Sequence, residues 1–136
     1  VTEDAAADGT FHPSTQEGVF ADTSYEGLQA RLTALGFEDR ITLVRGYFQD
    51  TLRNFESRTF RVVHLDCDMF QSYMTCLEFF YPRLERGGFM LFDEYDLCGD
   101  VYPGAKKAID SFFADKSETL RCFPEAEKPR WFIEKL

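Results

Sequence analysis

The chain has 136 residues, of which 44% are hydrophobic and 16% aromatic, and its formal net charge is -9. This much apolar surface suits one domain with its own core and excludes wholesale disorder. The acidic balance argues against nucleic acid or an anionic membrane surface as a partner, because both attract clustered Lys and Arg. The sequence contains no apolar run of membrane-spanning length and no secretory signal.

The cysteines indicate the chemical environment of the chain. There are four, at Cys67, Cys76, Cys98 and Cys122, and none belongs to a C-x-x-C pair, so the spacing does not indicate a zinc knuckle. With an otherwise ordinary composition, this usage favours reduced thiols in a cytoplasmic protein.

Helical and strand patterns alternate along the chain. Residues 1–21 are weakly patterned and are predicted to be loop-like. In the helix that follows, Thr23 and Glu26 have the spacing of a capping box, and Gly36 is a plausible end. The remaining predicted elements are a strand at 41–44, a helical turn at 51–55, a strand at 62–65, a helix at 72–85 ended by Gly87 and Gly88, a strand at 89–92, a helix from Pro103 to Phe113, and two strands at 120–123 and 131–133 that are close enough for an antiparallel pair. The alternation predicts a single α/β domain over residues 1–136 with a mainly parallel sheet.

Two acidic clusters stand directly after buried strands. Asp66 and Asp68 follow the strand at 62–65, and Asp93 and Glu94 follow the strand at 89–92. Because α/β proteins bind ligands at the carboxyl ends of their strands, these groups are predicted to share a site. Asp66, Asp93 and Glu94 could converge on a hard divalent cation such as magnesium, which would hold a substrate hydroxyl and lower its pKa. Asp68 is then a candidate to orient a metal ligand or to accept a proton.

The acidic residues could also have a purely structural role. Strand ends are often acidic because the next helix needs an N-terminal cap, and Asp68 or Ser72 could serve only that purpose. His64 is predicted to be a core histidine, and His12 a solvated loop residue. Neighbouring carboxylates would raise the pKa of Cys67, which disfavours a reactive thiolate. A metal-dependent hydrolase would use the same carboxylates, although no further motif supports it.

Five blocks of sequence resemble the macrocin O-methyltransferase (TylF-like) family. They are Gly-Tyr-Phe-Gln-Asp-Thr-Leu at 46–52, His-Leu-Asp-Cys-Asp-Met-Phe-Gln-Ser at 64–72, Tyr-Pro-Arg-Leu-Glu-Arg-Gly-Gly-Phe at 81–89, Phe-Asp-Glu-Tyr at 92–95 and Pro-Gly-Ala-Lys-Lys-Ala-Ile at 103–109. Their order and spacing make the resemblance more specific than any single short motif.

The resemblance implies an S-adenosylmethionine-dependent enzyme that methylates sugar hydroxyls of natural products. It implies a Rossmann-like class I methyltransferase sheet and a magnesium ion. The metal ligands would be Asp66, Asp93 and Glu94, and Asp66 and Asp68 would be catalytic. Phe48 and Gln49 would contact the adenine of the cofactor, with Asp66 a further cofactor-binding residue.

The chain departs from the family pattern in three respects. Glu94 stands where the family has Asp, and Phe70 stands where it has Tyr. No strand followed by a Gly-rich turn is visible, although such a turn cradles the cofactor in these enzymes. The chain is therefore predicted to lack the N-terminal strands of the sheet and to be the C-terminal portion of a methyltransferase.

The leading hypothesis is a magnesium-assisted O-methyltransferase, or the C-terminal fragment of one. Its predicted partner is a small-molecule hydroxyl acceptor, for which a sugar is a candidate, with neither nucleic acid nor membrane. The alternative is a truncated, non-catalytic relative that acts as a scaffold or dimerisation module, since an incomplete sheet exposes an edge that favours pairing with another chain. A homodimer is therefore a candidate assembly.

Overall fold

The computed structural model describes residues 21–95, 102–123 and 129–136, and the predicted mixed α/β class is confirmed. In chain order the elements are α1 (Tyr25–Ala34), α2 (Phe48–Thr51), β1 (Phe60–Leu65), α3 (Phe70–Phe80), β2 (Leu84–Phe92), α4 (Pro103–Phe113), β3 (Arg121–Phe123) and β4 (Arg130–Glu134). Short 3-10 helices follow α2 at Leu52–Phe55 and α3 at Tyr81–Arg83. None of the helices within these ranges is long and apolar enough to cross a membrane.

The four described strands form one sheet in the order β1-β2-β4-β3. β1 and β2 run parallel and are joined through α3, whereas β4 runs antiparallel to both β2 and β3. The predicted antiparallel pair near the end of the chain is thereby confirmed. The parallel pairing places the carboxyl ends of β1 and β2 at the same edge of the sheet, with Leu65 opposite Phe92.

The core lies between one face of the sheet and the helices α3 and α4. Val63, Met90 and Ile133 are neighbours across β1, β2 and β4, and all three are buried. Tyr73 from α3 and Ile109 from α4 pack against this face with no exposed surface. Burying each large apolar side chain contributes roughly 1.5–3 kcal/mol to stability, so this layer holds the two acidic strand ends in place.

The opposite face of the sheet is more open. Val62 is 58% exposed, and the His64 side chain on the same face is 53% exposed. The prediction that His64 is a core histidine is therefore wrong. Residues alternate between the two faces of a strand, so the burial of Val63 and Leu65 turns His64 away from the helices.

The predicted strand at 41–44 is absent from the structure. These residues have no strand pairing, and Ile41 and Val44 remain about half exposed. A β-rich segment becomes a strand only when a neighbour supplies hydrogen bonds, and within the described residues β1 pairs on one side only, with β2. The missing neighbour explains why local β propensity failed to predict the conformation here.

The helix predicted at 72–85 ends earlier. α3 stops at Phe80, and Pro82 lies in the 3-10 helix before β2 begins at Leu84. Gly87 and Gly88, which the sequence pattern predicts as the helix end, lie within β2 beside an irregularity in the β1–β2 register. A Cβ atom at Gly88 would approach the Arg61 carbonyl oxygen to 2.8 Å, so only glycine allows the strands to come this close.

The first helix is present, but its cap differs from the prediction by one residue. Ser24, not Thr23, has the extended conformation of an N-cap, and its hydroxyl accepts a hydrogen bond from the Gly27 amide at 3.0 Å. No residue of α1 is fully buried, and Leu28 and the C-cap residue Leu35 are 43% and 60% exposed. The helix is thus held by local contacts more than by the core.

We predict that Gly88→Ala lowers the free energy of unfolding by about 1–3 kcal/mol, because the added methyl group meets backbone oxygens that cannot move without separating β1 and β2. Urea denaturation monitored by circular dichroism measures this loss. Arg86→Ala, at an exposed position of the same strand, is the matched control and is expected to change stability little. Equal losses for the two variants would contradict the steric explanation.

Candidate active site

A sharp turn connects β1 to α3 and carries two of the acidic residues. Asp68 lies in the left-handed region with a φ of 58°, and the Met69 amide donates to the Cys67 carbonyl oxygen across it at 2.6 Å. Aspartate tolerates this conformation better than most residues, and such strain often occurs at functional sites. The N-cap of α3 is Met69 and makes no side-chain capping bond, so neither Asp68 nor Ser72 acts as the cap considered for them.

Three carboxylates meet at the shared edge of β1 and β2. Asp66, Asp68 and Glu94 each offer one oxygen, and these oxygens lie within 4.8 Å of one another. Asp66 is exposed and Asp68 is half-buried, whereas Glu94 is only 2% exposed. We call these three residues the acidic cluster.

The side chain of Tyr73, a core residue of α3, binds the carboxyl group of Glu94. The Tyr73 hydroxyl hydrogen-bonds both to Glu94 Oε2 and to the Leu65 carbonyl oxygen, the latter at 3.0 Å. The pKa of Glu94 is raised to about 8, chiefly by burial, and the Tyr73 hydrogen bond offsets part of this rise. The nearby carboxylates of Asp66 and Asp68 contribute to the raised pKa, because like charges disfavour the ionised form of Glu94.

The pKa of Asp68 is also raised, chiefly by burial and then by the charge of Asp66. A hydrogen bond with Glu94 lowers the pKa of Asp68, and the charge of Asp93 raises this pKa by a smaller amount. A carboxylate whose pKa is raised toward neutrality is a better proton acceptor than an ordinary aspartate. The electrostatics therefore suit the proton-accepting role predicted for Asp68.

Asp93 lies apart from the acidic cluster. Its Oδ1 accepts a hydrogen bond from Arg130 of β4, and His64 Nε2 lies 3.5 Å from the same oxygen. Of the metal ligands implied by the family resemblance, the structure thus brings together Asp66 and Glu94, while Asp93 is engaged by a cation of the chain itself. The oxygen that completes the group of three belongs to Asp68.

Two clefts are lined by residues of the predicted site. Phe48 and Gln49, implied to contact the cofactor, line a cleft of about 620 Å³ whose other wall includes residues of α3. A second cleft of about 310 Å³ runs along β1 and is lined by Phe48, Asp66 and Cys67 among others. Phe48 is common to both clefts, which connects the implied cofactor-binding residues with the acidic cluster.

A second network fixes the turn that follows β2. The Tyr95 hydroxyl donates to Asp110 at 2.7 Å, and Lys106 Nζ donates to the same carboxylate at 2.7 Å while lying 4.5 Å from the centre of the Tyr95 ring. These bonds tie the residue next to Glu94 to α4. They limit the freedom of the Glu94 backbone.

Cys67 lies between the two aspartates and is unsuited to nucleophilic chemistry. A hydrogen bond with Cys76 and burial, followed by nearby carboxylates, raise the pKa of the Cys67 thiol. Among the described residues, Cys67, Cys76 and Cys122 are not in disulfide bonds. Cys98 and His12 lie outside the described residues.

Sequence reasoning missed three side chains that shape the site. Tyr73 carried a weak signal, as a hydroxyl one turn into the helix that follows the first acidic strand end. Tyr95 belongs to one of the five family blocks, but nothing in the sequence paired it with Lys106 and Asp110. Arg130 carried no signal, because its position depends on the register between β2 and β4.

The family resemblance implies a magnesium ion, and the donor atoms allow a test of that implication. Asp66, Asp68 and Glu94 provide oxygen ligands only, which is the donor chemistry that magnesium prefers. These three residues fit a divalent cation. Asp93 does not fit in the present arrangement, because Arg130 holds its carboxylate.

Comparison with known proteins identifies the family. Residues 6–119 match macrocin-O-methyltransferase (TylF). The chain belongs to this family. A 4'-O-methyltransferase of Streptomyces olivaceus that acts on a rhamnosyl-tetracenomycin C is 36% identical over 66 residues, which cover 47% of this chain and 25% of that protein. The demethyldecarbamoylnovobiocin O-methyltransferase of Streptomyces niveus is 30% identical over 77 residues, which cover 57% of this chain and 28% of that protein.

Solved structures confirm the predicted class I methyltransferase fold. The calicheamicin methyltransferase CalS11 superposes with a TM-score of 0.73 and 22% identity, over 98% of this chain and 56% of that one. The O-methyltransferase NovP superposes with a TM-score of 0.64 and 24% identity, over 84% of this chain and 46% of that one. The chain of this macrocin O-methyltransferase family member therefore spans about a quarter of these curated relatives and about half of these structures.

We predict that the metal-free protein loses stability as pH rises from about 5 to about 8 and that Glu94→Gln removes much of this loss. The folded-state pKa of Glu94, about 8, lies above its unfolded value of 4.5. Its contribution is therefore fully present below pH 4.5 and is lost as pH rises through the folded pKa. Urea unfolding with a chelator present measures the difference, which should exceed about 1 kcal/mol.

Glu78→Gln is the matched control, since Glu78 is an exposed carboxylate on α3. It should leave the pH dependence of unfolding unchanged. If Glu94→Gln retains the full wild-type decline, Glu94 is already ionised in the folded protein and the expected linkage is wrong.

Proposed function

We propose that the chain is part of an S-adenosylmethionine-dependent O-methyltransferase that acts on a sugar hydroxyl of a glycosylated metabolite, assisted by magnesium. The observation that carries the proposal is the meeting of Asp66, Asp68 and Glu94, of which Asp66 shares a cleft with Phe48. Family membership supports the reaction class. The relatives whose names mention a rhamnosyl group and mycinamicin III support a glycosylated acceptor.

The residues suggest how the proton and the methyl group move. S-adenosylmethionine, when bound, would supply the methyl group that passes to the acceptor hydroxyl oxygen. Asp68 would accept the hydroxyl proton. Phe48 and Gln49 would hold the adenine end of the cofactor in the cleft that they line.

Magnesium, when bound, would supply Lewis-acid polarisation of the acceptor oxygen. Asp66, Asp68 and Glu94 would hold it. Tyr73 keeps Glu94 in place, and the network of Tyr95 and Asp110 fixes the turn that carries it. The acidic cluster would accordingly be organised before substrate enters.

We predict that the folded chain binds S-adenosylhomocysteine and that Phe48→Ala weakens this binding by roughly tenfold, because the aromatic ring lines both clefts. Isothermal titration calorimetry measures the affinity. Phe123→Ala is the matched control, since this phenylalanine is 50% exposed on β3 and lines neither cleft. A folded chain that shows no binding would contradict the proposal for this chain.

We further predict that Asp68→Asn slows methyl transfer at least about 100-fold, as expected when a proton acceptor is removed. The assay uses radiolabelled S-adenosylmethionine with TDP-rhamnose as probe acceptor, because one structural relative is described as a TDP-rhamnose 3'-O-methyltransferase. An unchanged rate would remove Asp68 from the mechanism.

The alternative is a non-catalytic scaffold or dimerisation module. Two observations favour it. Among the described strands, β1 has a strand neighbour on one side only, and Val62 of β1 is 58% exposed. A chain that is folded, dimeric by light scattering and unable to bind S-adenosylhomocysteine would support this alternative. A cytoplasmic location stays a prediction from the cysteine usage, and the absence of nucleic-acid and membrane partners stays a prediction from the net charge of -9.

A further inference from the structure

Two cysteines, Cys67 and Cys76, meet where the turn after β1 packs against α3. Cys67 belongs to that turn, and Cys76 is buried on α3, three residues after Tyr73 and on the same face of the helix. The Cys67 thiol hydrogen-bonds with Cys76, and neither residue is in a disulfide bond. The fold thus brings together two reduced thiols that are nine residues apart in the sequence.

A cleft gives small molecules access to this thiol pair. Both cysteines line the cleft of about 310 Å³ that runs along β1, together with Phe48, Phe60 and Phe80. Cys67 is half-buried, whereas Cys76 is only 1% exposed. An oxidant as small as hydrogen peroxide therefore reaches Cys67 first, and Cys76 lies behind it in the position of a resolving thiol.

We propose that Cys67 and Cys76 form a modification site, at which oxidation by hydrogen peroxide creates a disulfide bond that restrains the turn carrying Asp66 and Asp68. In the first step, Cys67 is oxidised to a sulfenic acid and one molecule of water is released. In the second step, the Cys76 sulfur displaces the hydroxyl group from the Cys67 sulfur, and that group leaves with the Cys76 proton as a second molecule of water. The two electrons given up by the thiols reduce the peroxide. An added dithiol reverses the change by thiol–disulfide exchange.

The first step is slow, because Cys67 is a poor nucleophile. Its hydrogen bond with Cys76, burial and nearby carboxylates all raise the pKa of the Cys67 thiol, so little of it is present as thiolate. The pair therefore stays reduced under ordinary conditions and responds to sustained excess of peroxide. Disulfides of this reversible kind are the ones found in reducing compartments.

The new bond would act on the acidic cluster through the backbone. A disulfide holds its sulfur atoms about 2.05 Å apart, which is much closer than two hydrogen-bonded thiols. Cys67 is covalently joined to Asp66 on one side and to Asp68 on the other, and Asp68 already has a φ of 58°. Movement of Cys67 toward α3 is therefore passed directly to both aspartates.

Peptide mapping by mass spectrometry tests whether the bond forms. Cleavage by trypsin after Arg61 and Arg83 releases residues 62–83 as one peptide that contains both cysteines. After peroxide treatment and alkylation of the remaining thiols, we expect this peptide to lack two hydrogen atoms and to carry no alkyl group. Dithiothreitol before alkylation should restore a doubly alkylated peptide. A peptide that stays doubly alkylated after peroxide, or that carries a sulfinic acid at Cys67 and a free thiol at Cys76, would overturn the proposal.

Two variants show which thiols are required. Cys67→Ser should abolish the loss of two hydrogen atoms, whereas Cys122→Ser should leave it unchanged. Cys122 is the matched control, because it is a half-buried cysteine of β3 that does not line this cleft. Loss of the disulfide in Cys122→Ser would mean that another pairing forms and would contradict the proposal.

Amide NMR spectra of the reduced and oxidised wild-type chain test the effect on the turn. The signals of Asp66 and Asp68 should shift on oxidation and return with dithiothreitol, while that of Leu28 in α1 should not move. A disulfide that forms without shifts at the two aspartates would refute the restraint of the turn. These measurements need neither cofactor nor acceptor, so their outcome is independent of whether the chain takes part in methyl transfer.

Discussion

The parallel pairing of β1 with β2 is the constraint on which the rest of the site depends. It aligns Val63 with Met90 and Leu65 with Phe92, so the two strands end at the same level. The acidic residues that follow must then share one edge, where their mutual repulsion is an energetic cost. Burial of the apolar residues of β1 and β2 against the helices α3 and α4 offsets this cost. A different register would turn these apolar residues away from the helices, so the core forms only with the acidic residues at one edge.

Tyr73 connects the hydrophobic core to the acidic cluster. Its side chain is fully buried among apolar neighbours, yet its hydroxyl contacts both the Leu65 carbonyl oxygen and Glu94. Burial is the largest cause of the raised pKa of Glu94, about 8, whereas the hydrogen bond from Tyr73 acts to lower that pKa. The added methylene of glutamate, which distinguishes this chain from the family pattern, therefore comes with a buried partner for the carboxyl group.

The sequence was sufficient to predict the elements that depend on local pattern. The helix from Pro103 to Phe113 and the C-terminal strand pair were expected and are present. The strand at 41–44 was not predictable from its β-branched residues, because a strand also needs a neighbour. Gly87 and Gly88 look like a helix end, but they lie where β2 approaches β1, and only the paired structure reveals the close contact at Gly88.

The site was likewise predictable only as far as local pattern reaches. Hydrophobic runs that end in carboxylates indicated which strand ends would carry charge. The sequence could not decide whether Asp68 or Asp93 joins Asp66 and Glu94 in the acidic cluster. The left-handed turn at Asp68 and the β2–β4 register beside Asp93 decide this, and both depend on tertiary structure.

Strand alternation gives a physical reason for the separation of Asp93 from Glu94. Consecutive residues leaving a strand point to opposite faces of the sheet. Glu94 points to the helix-covered face, where it meets Tyr73, and Asp93 points to the open face, where it meets Arg130 and His64. Two adjacent carboxylates can bind one cation only if the backbone beyond the strand turns one of them back. In this chain Tyr95 is tied to Asp110 directly after Glu94, which opposes such a turn and favours a site that takes its third oxygen from the other strand end.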